Sequence, residues 1–434
     1  MRYITEKGGS PIYLQLYRQI RDDIVAGVYP YGSKLPSKRT LADESGISTV
    51  TVEHAYALLC DEGYARARER SGYTVVFKRS DGFVSTAESG AEHIRQSAEP
   101  SDYPTFPVSV LSRTMRRVLA DYYDVIMQKS PGAGCDGLRG AIRDYLARNR
   151  GIHVETKQIV IGSGAEYLYG LIVMLLGKDR VYALETPSYE VIERIYATVG
   201  VRYELLPLSG DGIDSGALFS SGADVLHTTP YRSFPSGVTA SASKRHEYIR
   251  WADREGRYII ESDYGSEFAV SSQPMETLFA LADRDNVIYL NTFSKTISSS
   301  IRVGYMVLPE ALLERYRQKC ACFSCTVSRV DQAVLEQFLD SGAFERHLNR
   351  MRKSYSRKHE ALLDGLKPFL GQFDLSGENA GLHLLLTDRV GRSEKELVDA
   401  ARRQGVKVYG LSSALVGTAV PEAVCHATVL IGFG

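Results

Sequence analysis

One stretch constrains this chain more than any other: an apolar strand followed by a segment rich in small hydroxyl residues. The strand is predicted at 286–290, and Lys295 and Arg302 follow it, seven residues apart. A lysine just after a buried strand loses its proton readily, because desolvation disfavours the charged form, and it can then condense with an aldehyde. Together with a phosphate-binding arginine it suits pyridoxal 5'-phosphate (PLP). The alternative is a surface turn with a solvated lysine and arginine, which the spacing alone does not exclude.

Length and composition set the outer limits. A chain of 434 residues is long enough for two or three domains. Lysine plus arginine and aspartate plus glutamate balance at 52 each, so the whole-chain charge neither favours nor excludes a nucleic-acid partner. The sequence has no N-terminal signal core and no apolar run near the ~18 residues of a membrane span. We therefore expect a soluble, cytoplasmic protein without a membrane partner.

Three cysteines, Cys320, Cys322 and Cys325, have a spacing that suggests a metal or redox site. No second pair of cysteine or histidine residues lies nearby in the sequence, and a four-coordinate site needs a further ligand. The segment is predicted to be helical with apolar neighbours, which favours buried thiols and no metal site.

The first eighty residues predict a DNA-binding domain. A first helix is indicated by apolar residues at helical spacing, Ile12, Leu16, Ile20 and Ile24. Ser37 is placed to cap a second helix, and after a turn at Gly46, Ser48 is placed to cap a third. Two short helices around a glycine turn are typical of a helix-turn-helix, whose second helix enters the major groove.

Residues 64–76 predict two strands joined by a basic glycine turn, which would form a wing beside the helices. Residues 1–80 hold 12 lysine and arginine residues against 9 acids, and arginines in a wing suit phosphates or a narrow minor groove. The alternative is a small three-helix bundle with a charged hairpin.

Residues 10–77 resemble the GntR family of winged-helix regulators. The resemblance is carried by Pro11-Ile-Tyr-Leu-Gln, Gly32-Ser-Lys-Leu-Pro-Ser37, Gly46-Ile-Ser48, Glu62-Gly-Tyr64 and Ser71-Gly72. It implies contacts with double-stranded operator DNA from Ser37, Arg39, Ser48, Thr51, Arg68, Arg70 and Gly72. Thr49 and His54 complete the predicted DNA-binding set. The family often has an arginine at the position of Thr49 and a basic residue near Glu53. The base-reading surface therefore departs from the pattern, with His54 as a substitute, and this changes the operator more than the phosphate-driven affinity.

Residues 78–105 are polar and lack sustained periodicity, so they predict a linker between a DNA-binding domain at 1–77 and a large domain at 106–434. Fully extended, such a segment spans about 95 Å. That reach lets the DNA-binding domain of one protomer rest on the large domain of its partner, as in a head-to-tail homodimer.

From residue 106 helices alternate with apolar strands, which predicts a mostly parallel sheet covered by helices on both faces. The predicted strands are 158–161, 180–184, 223–227, 257–260 and 287–290. Beyond residue 317 the pattern predicts a smaller α+β subdomain with strands at 381–386 and 406–409. The turn at 162–168 follows a strand and opens a helix, so it suits a phosphate, although an ordinary turn has the same form.

The large domain resembles fold-type I aminotransferases, and the whole chain resembles the MocR/GabR subfamily of GntR regulators. The segments that carry this resemblance are Thr229-Pro, Phe234-Pro-Ser-Gly237, Asp263-Tyr264, Thr292-Phe-Ser-Lys295, Arg302-Val-Gly-Tyr305, Ala380-Gly-Leu-His383 and Ile431-Gly-Phe433. The implied fold class is an N-terminal winged helix-turn-helix, all-α with a small β wing, plus an α/β aminotransferase class I-like PLP-dependent transferase fold.

The same resemblance implies a set of cofactor-binding residues. Lys295 would hold PLP covalently, Tyr189 would lie on the face of its ring and Tyr264 at its phenolic oxygen. The phosphate would be held by Arg302, Thr292 and the amides of Ser163, Gly164 and Ala165.

Three departures bear on mechanism. The family has an aspartate at the position of Ser262, where it protonates the pyridine nitrogen, and Asp263 stands one residue later. Because side chains alternate along a strand, Asp263 is expected to point away unless the local backbone lets it reach the ring. The arginines that grip a substrate carboxylate in GabR-like members are replaced by Val191 and His426, so an amino-acid effector is disfavoured.

These features predict a PLP-binding transcriptional regulator that senses PLP or a small amine or amino acid and transaminates poorly, because Ser262 weakens the electron sink. Two other classes stay open. One is an active PLP-dependent aminotransferase with an accessory DNA-binding domain, and the other is a regulator whose large domain is only a dimerisation scaffold.

Overall fold

The structure is a computed structural model that describes residues 3, 11–68, 72–77, 106–254, 256–263, 265–268, 275–377, 381–414 and 427–433. The chain divides into two compact units, Met1–Pro100 and Ser101–Gly434. The predicted linker, 78–105, lies outside the described residues. Within the part of the chain that is described, no helix combines the length and apolar character needed to cross a membrane.

The first unit contains the predicted helices and wing. Its elements are α1 (Ile12–Ala26), α2 (Lys38–Ser45), α3 (Thr49–Asp61), β1 (Ala65–Arg68) and β2 (Gly72–Val75). Both predicted caps are confirmed, since Ser37 Oγ accepts from the amide of Thr40 and Ser48 Oγ from that of Thr51, each at 3.1 Å. Gly46 has φ of 68°, the left-handed conformation that the turn between α2 and α3 requires.

The core of this unit explains which face of α3 is available to DNA. Val52, Ala55, Tyr56 and Leu59 are buried against α1 and α2, as their helical spacing predicts. The residues between them point outward, and the two strands of the wing pair antiparallel.

The second unit is larger. Its helices are α4 (Val108–Asp121), α5 (Tyr123–Ile126), α6 (Asp136–Arg150), α7 (Ala165–Leu176), α8 (Glu190–Val199), α9 (Ser215–Ser220), α10 (Ala242–Ala252), α11 (Leu278–Leu281), α12 (Leu313–Lys319), α13 (Arg329–Asp340), α14 (Ala343–Leu366) and α15 (Glu394–Arg403). Its strands are β3 (Ile159–Gly162), β4 (Val181–Thr186), β5 (Arg202–Ser209), β6 (Gly212–Ile213), β7 (Val225–Thr228), β8 (Tyr258–Ser262), β9 (Val287–Thr292), β10 (Gly304–Val307), β11 (Phe373–Ser376), β12 (His383–Asp388), β13 (Tyr409–Gly410) and β14 (Thr428–Gly432).

In the described residues, eight of these strands form one sheet in the order β3-β10-β9-β8-β7-β4-β5-β6. The pairs from β9 through β5 are parallel, which confirms the predicted parallel sheet, whereas β10 runs antiparallel to both of its neighbours. Alternate residues of the strands enter different cores. Tyr305 packs with α6, and Met306 packs with α7 on the opposite face.

The smaller subdomain is an antiparallel sheet of β11, β12, β14 and β13 in that order. The strand predicted at 406–409 is wrong in extent, because only Tyr409–Gly410 pairs. The prediction of a helix through the cysteine cluster is also wrong, because the observed helix α12 ends at Lys319, before the first of the three cysteines. Cys320 is buried, whereas Cys322 lies on an exposed turn.

Candidate functional site

Several of the predicted cofactor residues lie at the carboxyl edge of the large sheet, where strands β3, β4, β7, β8 and β9 all end. Gly304 at the start of β10 lies opposite both Gly162 and Thr292. This register brings Arg302, Ser163 and the chain leading to Lys295 to one place. Crevices at the carboxyl ends of parallel strands are where open α/β sheets bind ligands.

Arg302 forms the cationic end of the site. Its backbone is left-handed, with φ of 48°, and its Nη2 group donates to the carbonyl oxygen of Ser163 at 3.4 Å. The same nitrogen forms an ion pair with the carboxylate of Glu166. A Cβ built on Gly164 would lie only 2.8 Å from this nitrogen, so the guanidinium covers the backbone that opens α7.

The amides predicted to hold a phosphate have partners within the chain. The amide of Ser163 donates to Thr326 Oγ1 at 3.1 Å, and that of Gly164 donates to the carbonyl of Gly162 at 2.8 Å. Ala165 begins the helix, whose first N–H groups have no intrahelical acceptor and carry the positive end of the helix dipole. Arg302 and this helix start together remain suited to an anion.

Lys295 is half-buried beside His383, the first residue of β12. Burial lowers the pKa of His383, and the charge of Lys295 lowers it further. The ring of Phe234 lies 5.3 Å from that of His383 and 6.2 Å from that of Tyr189, measured between centroids. Tyr189 is 47% exposed, so its side chain is accessible from solvent.

Ser262 ends β8 and is buried. Its Oγ lies 3.3 Å from the hydroxyl of Tyr169, whose ring contacts that of His227 at 4.9 Å. His227 Nδ1 lies 2.9 Å from the hydroxyl of Tyr196. Burial lowers the pKa of His227 to about 3, so its ring is neutral. Its Nε2 has no hydrogen-bond partner among the described residues.

Asp263 does not belong to this group, which corrects its place among the predicted cofactor ligands. Its carboxylate forms an ion pair with Arg150 at 2.8 Å and accepts from the hydroxyl of Tyr289 at 2.6 Å. Both partners lie on the face of the sheet opposite Tyr169, because successive side chains of a strand alternate. The pair is buried, with 5% and 0% of its side chains exposed.

These residues fit PLP as an anchored ligand. Lys295 would supply the amine, Arg302 the phosphate partner and Tyr189 the ring surface, whereas Tyr264 lies outside the described residues. PLP supplies an electron sink when its ring nitrogen is protonated. Among the described residues, the groups next to Ser262 are the hydroxyl of Tyr169 and, beyond it, the neutral imidazole of His227, and neither would hold a proton on the ring nitrogen as a carboxylate would.

The predicted DNA-contacting residues lie mainly on the outer face of the first unit. Ser37, Arg39, Ser48, Thr49, His54 and Gly72 are exposed, and Thr51 is half-buried. Glu53 on the same face forms an ion pair with Lys38 at 2.6 Å, which offsets its repulsion of phosphate. The backbone of Arg68 pairs with Gly72 in the wing. The side chain of Arg68 and all of Arg70 lie outside the described part of the chain.

Four residues of the site escaped the sequence reasoning: Arg150, Glu166, Tyr169 and His227. Arg150 is far from Asp263 in sequence, so only the fold brings them together. A signal existed for the others. Glu166 lies in the predicted phosphate turn and Tyr169 directly follows it, and His227 is a polar residue in a predicted buried strand just before Thr229.

Comparison with known proteins identifies one family for the N-terminal unit and another for the large unit. The family "Aminotransferase class I and II" matches residues 102–422, and "Bacterial regulatory proteins, gntR family" matches residues 12–75. An archaeal alanine:glyoxylate aminotransferase has a similar fold, with a TM-score of 0.67 and 20% identity over 76% of this chain and 83% of its own.

Three relatives that are named as regulators match this chain over nearly their whole length. The HTH-type transcriptional regulator YdeL of Bacillus subtilis is 32% identical over 93% of this chain and 89% of its own. The probable rhizopine catabolism regulatory protein MocR of Rhizobium meliloti is 26% identical over 95% and 89%. The pyridoxine biosynthesis regulator PdxR of Corynebacterium glutamicum is 28% identical over 98% and 92%. The chain therefore belongs to the MocR/GabR-type HTH transcriptional regulators, which join a GntR DNA-binding domain to an aminotransferase class I and II domain.

Proposed function

We propose that this regulator binds PLP at the carboxyl edge of its large sheet and that PLP or a small amine changes its binding to operator DNA. It acts as a head-to-tail homodimer in the cytoplasm and transaminates poorly. The observation that carries the proposal is the separation of Ser262 from Asp263. The site keeps groups that anchor a cofactor, while the nearest aspartate is committed to Arg150.

The relative PdxR supports a vitamin B6 compound as the effector, since its name assigns it to pyridoxine biosynthesis. The loss of carboxylate-binding arginines at Val191 and His426 points the same way. An amino acid would have to bind without either of those ion pairs, whereas PLP retains Arg302 and Lys295.

Absorbance tests the cofactor part. The full chain soaked in PLP should gain the visible band of lysine-bound PLP, and Lys295→Ala should lose it. Lys178→Ala, which removes an exposed lysine elsewhere on the large unit, serves as the control and should keep the band. A colourless wild-type protein would contradict PLP binding and favour the scaffold alternative.

Footprinting tests the regulatory part. Protection of the DNA upstream of the regulated gene should change on addition of PLP, and Lys295→Ala should remove that change while still binding DNA. Occupancy that is independent of PLP and of small amines would refute sensing. Sustained conversion of an amino donor to a keto acid would instead favour the enzyme.

A further inference from the structure

Beside Arg302, the cationic end of the site contains an acidic residue, Glu166, to which the proposed function assigns no role. Glu166 stands in the first turn of α7, and its carboxylate contacts the Nη2 group of Arg302 directly. Arg302 is the guanidinium expected to hold the phosphate of PLP. A carboxylate from the same chain therefore occupies one of the guanidinium nitrogens to which a phosphate would bind.

The position of this ion pair matters as much as its chemistry. A Cβ built on Gly164 would meet Arg302 Nη2 at 2.8 Å and Glu166 Oε2 at 3.3 Å. Both charged groups thus lie over the backbone that opens α7, where an anion would bind. The neighbouring amide of Ser163 is likewise engaged, by Thr326 Oγ1 at 3.1 Å.

The negative charges of Glu166 and of the phosphate determine whether Glu166 strengthens or weakens phosphate binding. A phosphate monoester carries about −1.5 to −2 charges near pH 7, so Glu166 both repels it and competes with it for Arg302. The side chains of Arg302 and Glu166 are 49% and 39% exposed, so solvent screens their attraction. An exposed pair of this kind changes an equilibrium by a factor of a few, and local repulsion of the phosphate adds to that.

We propose that Glu166 sets the affinity of the site for phosphate-bearing ligands by acting as an intrachain competitor for Arg302. The inference rests on the proposed function and adds a regulatory property to it: the site fills only when PLP is plentiful. Pyridoxal, which has the same ring and aldehyde without the phosphate, is insensitive to this competition.

The test compares PLP with pyridoxal in the full-length protein. Dissociation constants are measured from the visible band of lysine-bound ligand. Glu166→Gln should bind PLP about three- to tenfold more tightly than wild type, while the constant for pyridoxal changes less than about twofold. Glu314→Gln is the matched control, because it removes the same charge from another exposed ion pair, with Arg317, and should change neither constant.

A double-mutant cycle locates the effect. In an Arg302→Ala background, Glu166→Gln should no longer discriminate between PLP and pyridoxal, because the shared guanidinium is gone. Equal PLP affinity in wild type and Glu166→Gln would overturn the inference, and so would an equal gain for both ligands. Failure of the proposed function looks different, since no visible band would then form with any variant at saturating PLP.

Discussion

The two faces of β8 at its carboxyl end differ sharply in charge. On one face Ser262 meets Tyr169, whose ring contacts the neutral imidazole of His227. On the other face Asp263 is ion-paired with Arg150, and burial raises the pKa of nearby Glu267. Among the described residues, Ser262 thus contacts neutral groups, whereas the next residue along the chain joins a buried ion pair.

An acid that is next to a predicted cofactor position in sequence can thus serve a structural role in the fold. The carboxylate of Asp263, paired with Arg150, cannot also hold a proton on a ring bound at the opposite face. Four substitutions test this contrast.

The largest effect is expected from Asp263→Asn. It leaves the buried guanidinium of Arg150 without its counter-ion, and breaking a buried pair by removing one partner costs about 3–5 kcal/mol. Urea unfolding of the full chain measures the loss. Trp251, the only tryptophan in the sequence, is buried in the large unit and reports on that unit alone.

Asp121→Asn is the control for this variant. Its ion pair with Arg117 is exposed, at 55% and 65% of the two side chains, so its removal should cost less than about 1 kcal/mol. If the two variants lost the same stability, the ionic face would not have the structural role assigned to it.

The neutral face predicts a pH dependence. The pKa of His227 is lowered by burial to about 3 from an ordinary 6.5. In the unfolded chain His227 therefore becomes protonated below about pH 6.5, whereas in the native chain it becomes protonated only near pH 3. The stability contributed by neutral His227 is present above pH 6.5 and is lost as pH falls, by about 2 kcal/mol between pH 7.5 and 5.

His227→Phe should remove the part of the loss of unfolding free energy between pH 7.5 and 5 that comes from protonation of His227. The pKa values of Glu185 and Glu261 are raised to about 7 by burial and act with the opposite sign, but they titrate in both proteins and cancel in the difference. The measurement is unfolding free energy against pH for wild type and variant. Parallel curves between pH 7.5 and 5 would show that His227 is not held neutral.

Ser262→Asp brings a carboxylate to the neutral face. With PLP bound it should hold a proton on the ring nitrogen and speed conversion of the ligand to its amine form by about tenfold or more. Single-turnover absorbance with an amino donor measures the rate. Ser262→Asn, similar in shape but unable to hold that proton, should give no gain, and a similar gain from both variants would contradict the assignment.

Tyr169→Phe is expected to have the smallest effect. It leaves Ser262 Oγ without its hydroxyl neighbour and should cost about 1 kcal/mol in unfolding free energy. Tyr182→Phe removes a comparable hydroxyl, which donates to the carbonyl of Gly177 at 3.3 Å away from Ser262. Both should lose similar stability, but only Tyr169→Phe should shift the visible band of bound PLP. A shift with both variants would count against a local role for Tyr169.

Much of the fold follows from local rules that act over a few residues. Ser37 and Ser48 could be assigned as caps because a hydroxyl before a helix accepts from an amide three residues on. The alternation of side chains along a strand predicted that Ser262 and Asp263 would separate, and they do. Each of these depends on sequence neighbours alone.

The rest of the site depends on contacts between distant segments. Arg150 ends α6 and meets Asp263 only because α6 packs on the face of the sheet to which Asp263 points, which no spacing reveals. The cysteine segment was assigned to a helix from apolar neighbours, but the chain turns after Lys319. Nothing in the sequence showed that Glu166 would face Arg302, since either could have been solvated.

The placement of His383 has a mechanical consequence. It begins β12 of the four-stranded sheet, whereas Lys295 follows β9 of the eight-stranded sheet, and Phe234 touches the histidine ring from the loop after β7. A ligand bound at Lys295 would therefore contact side chains that belong to both sheets, so its affinity would depend on how the two sheets pack against each other.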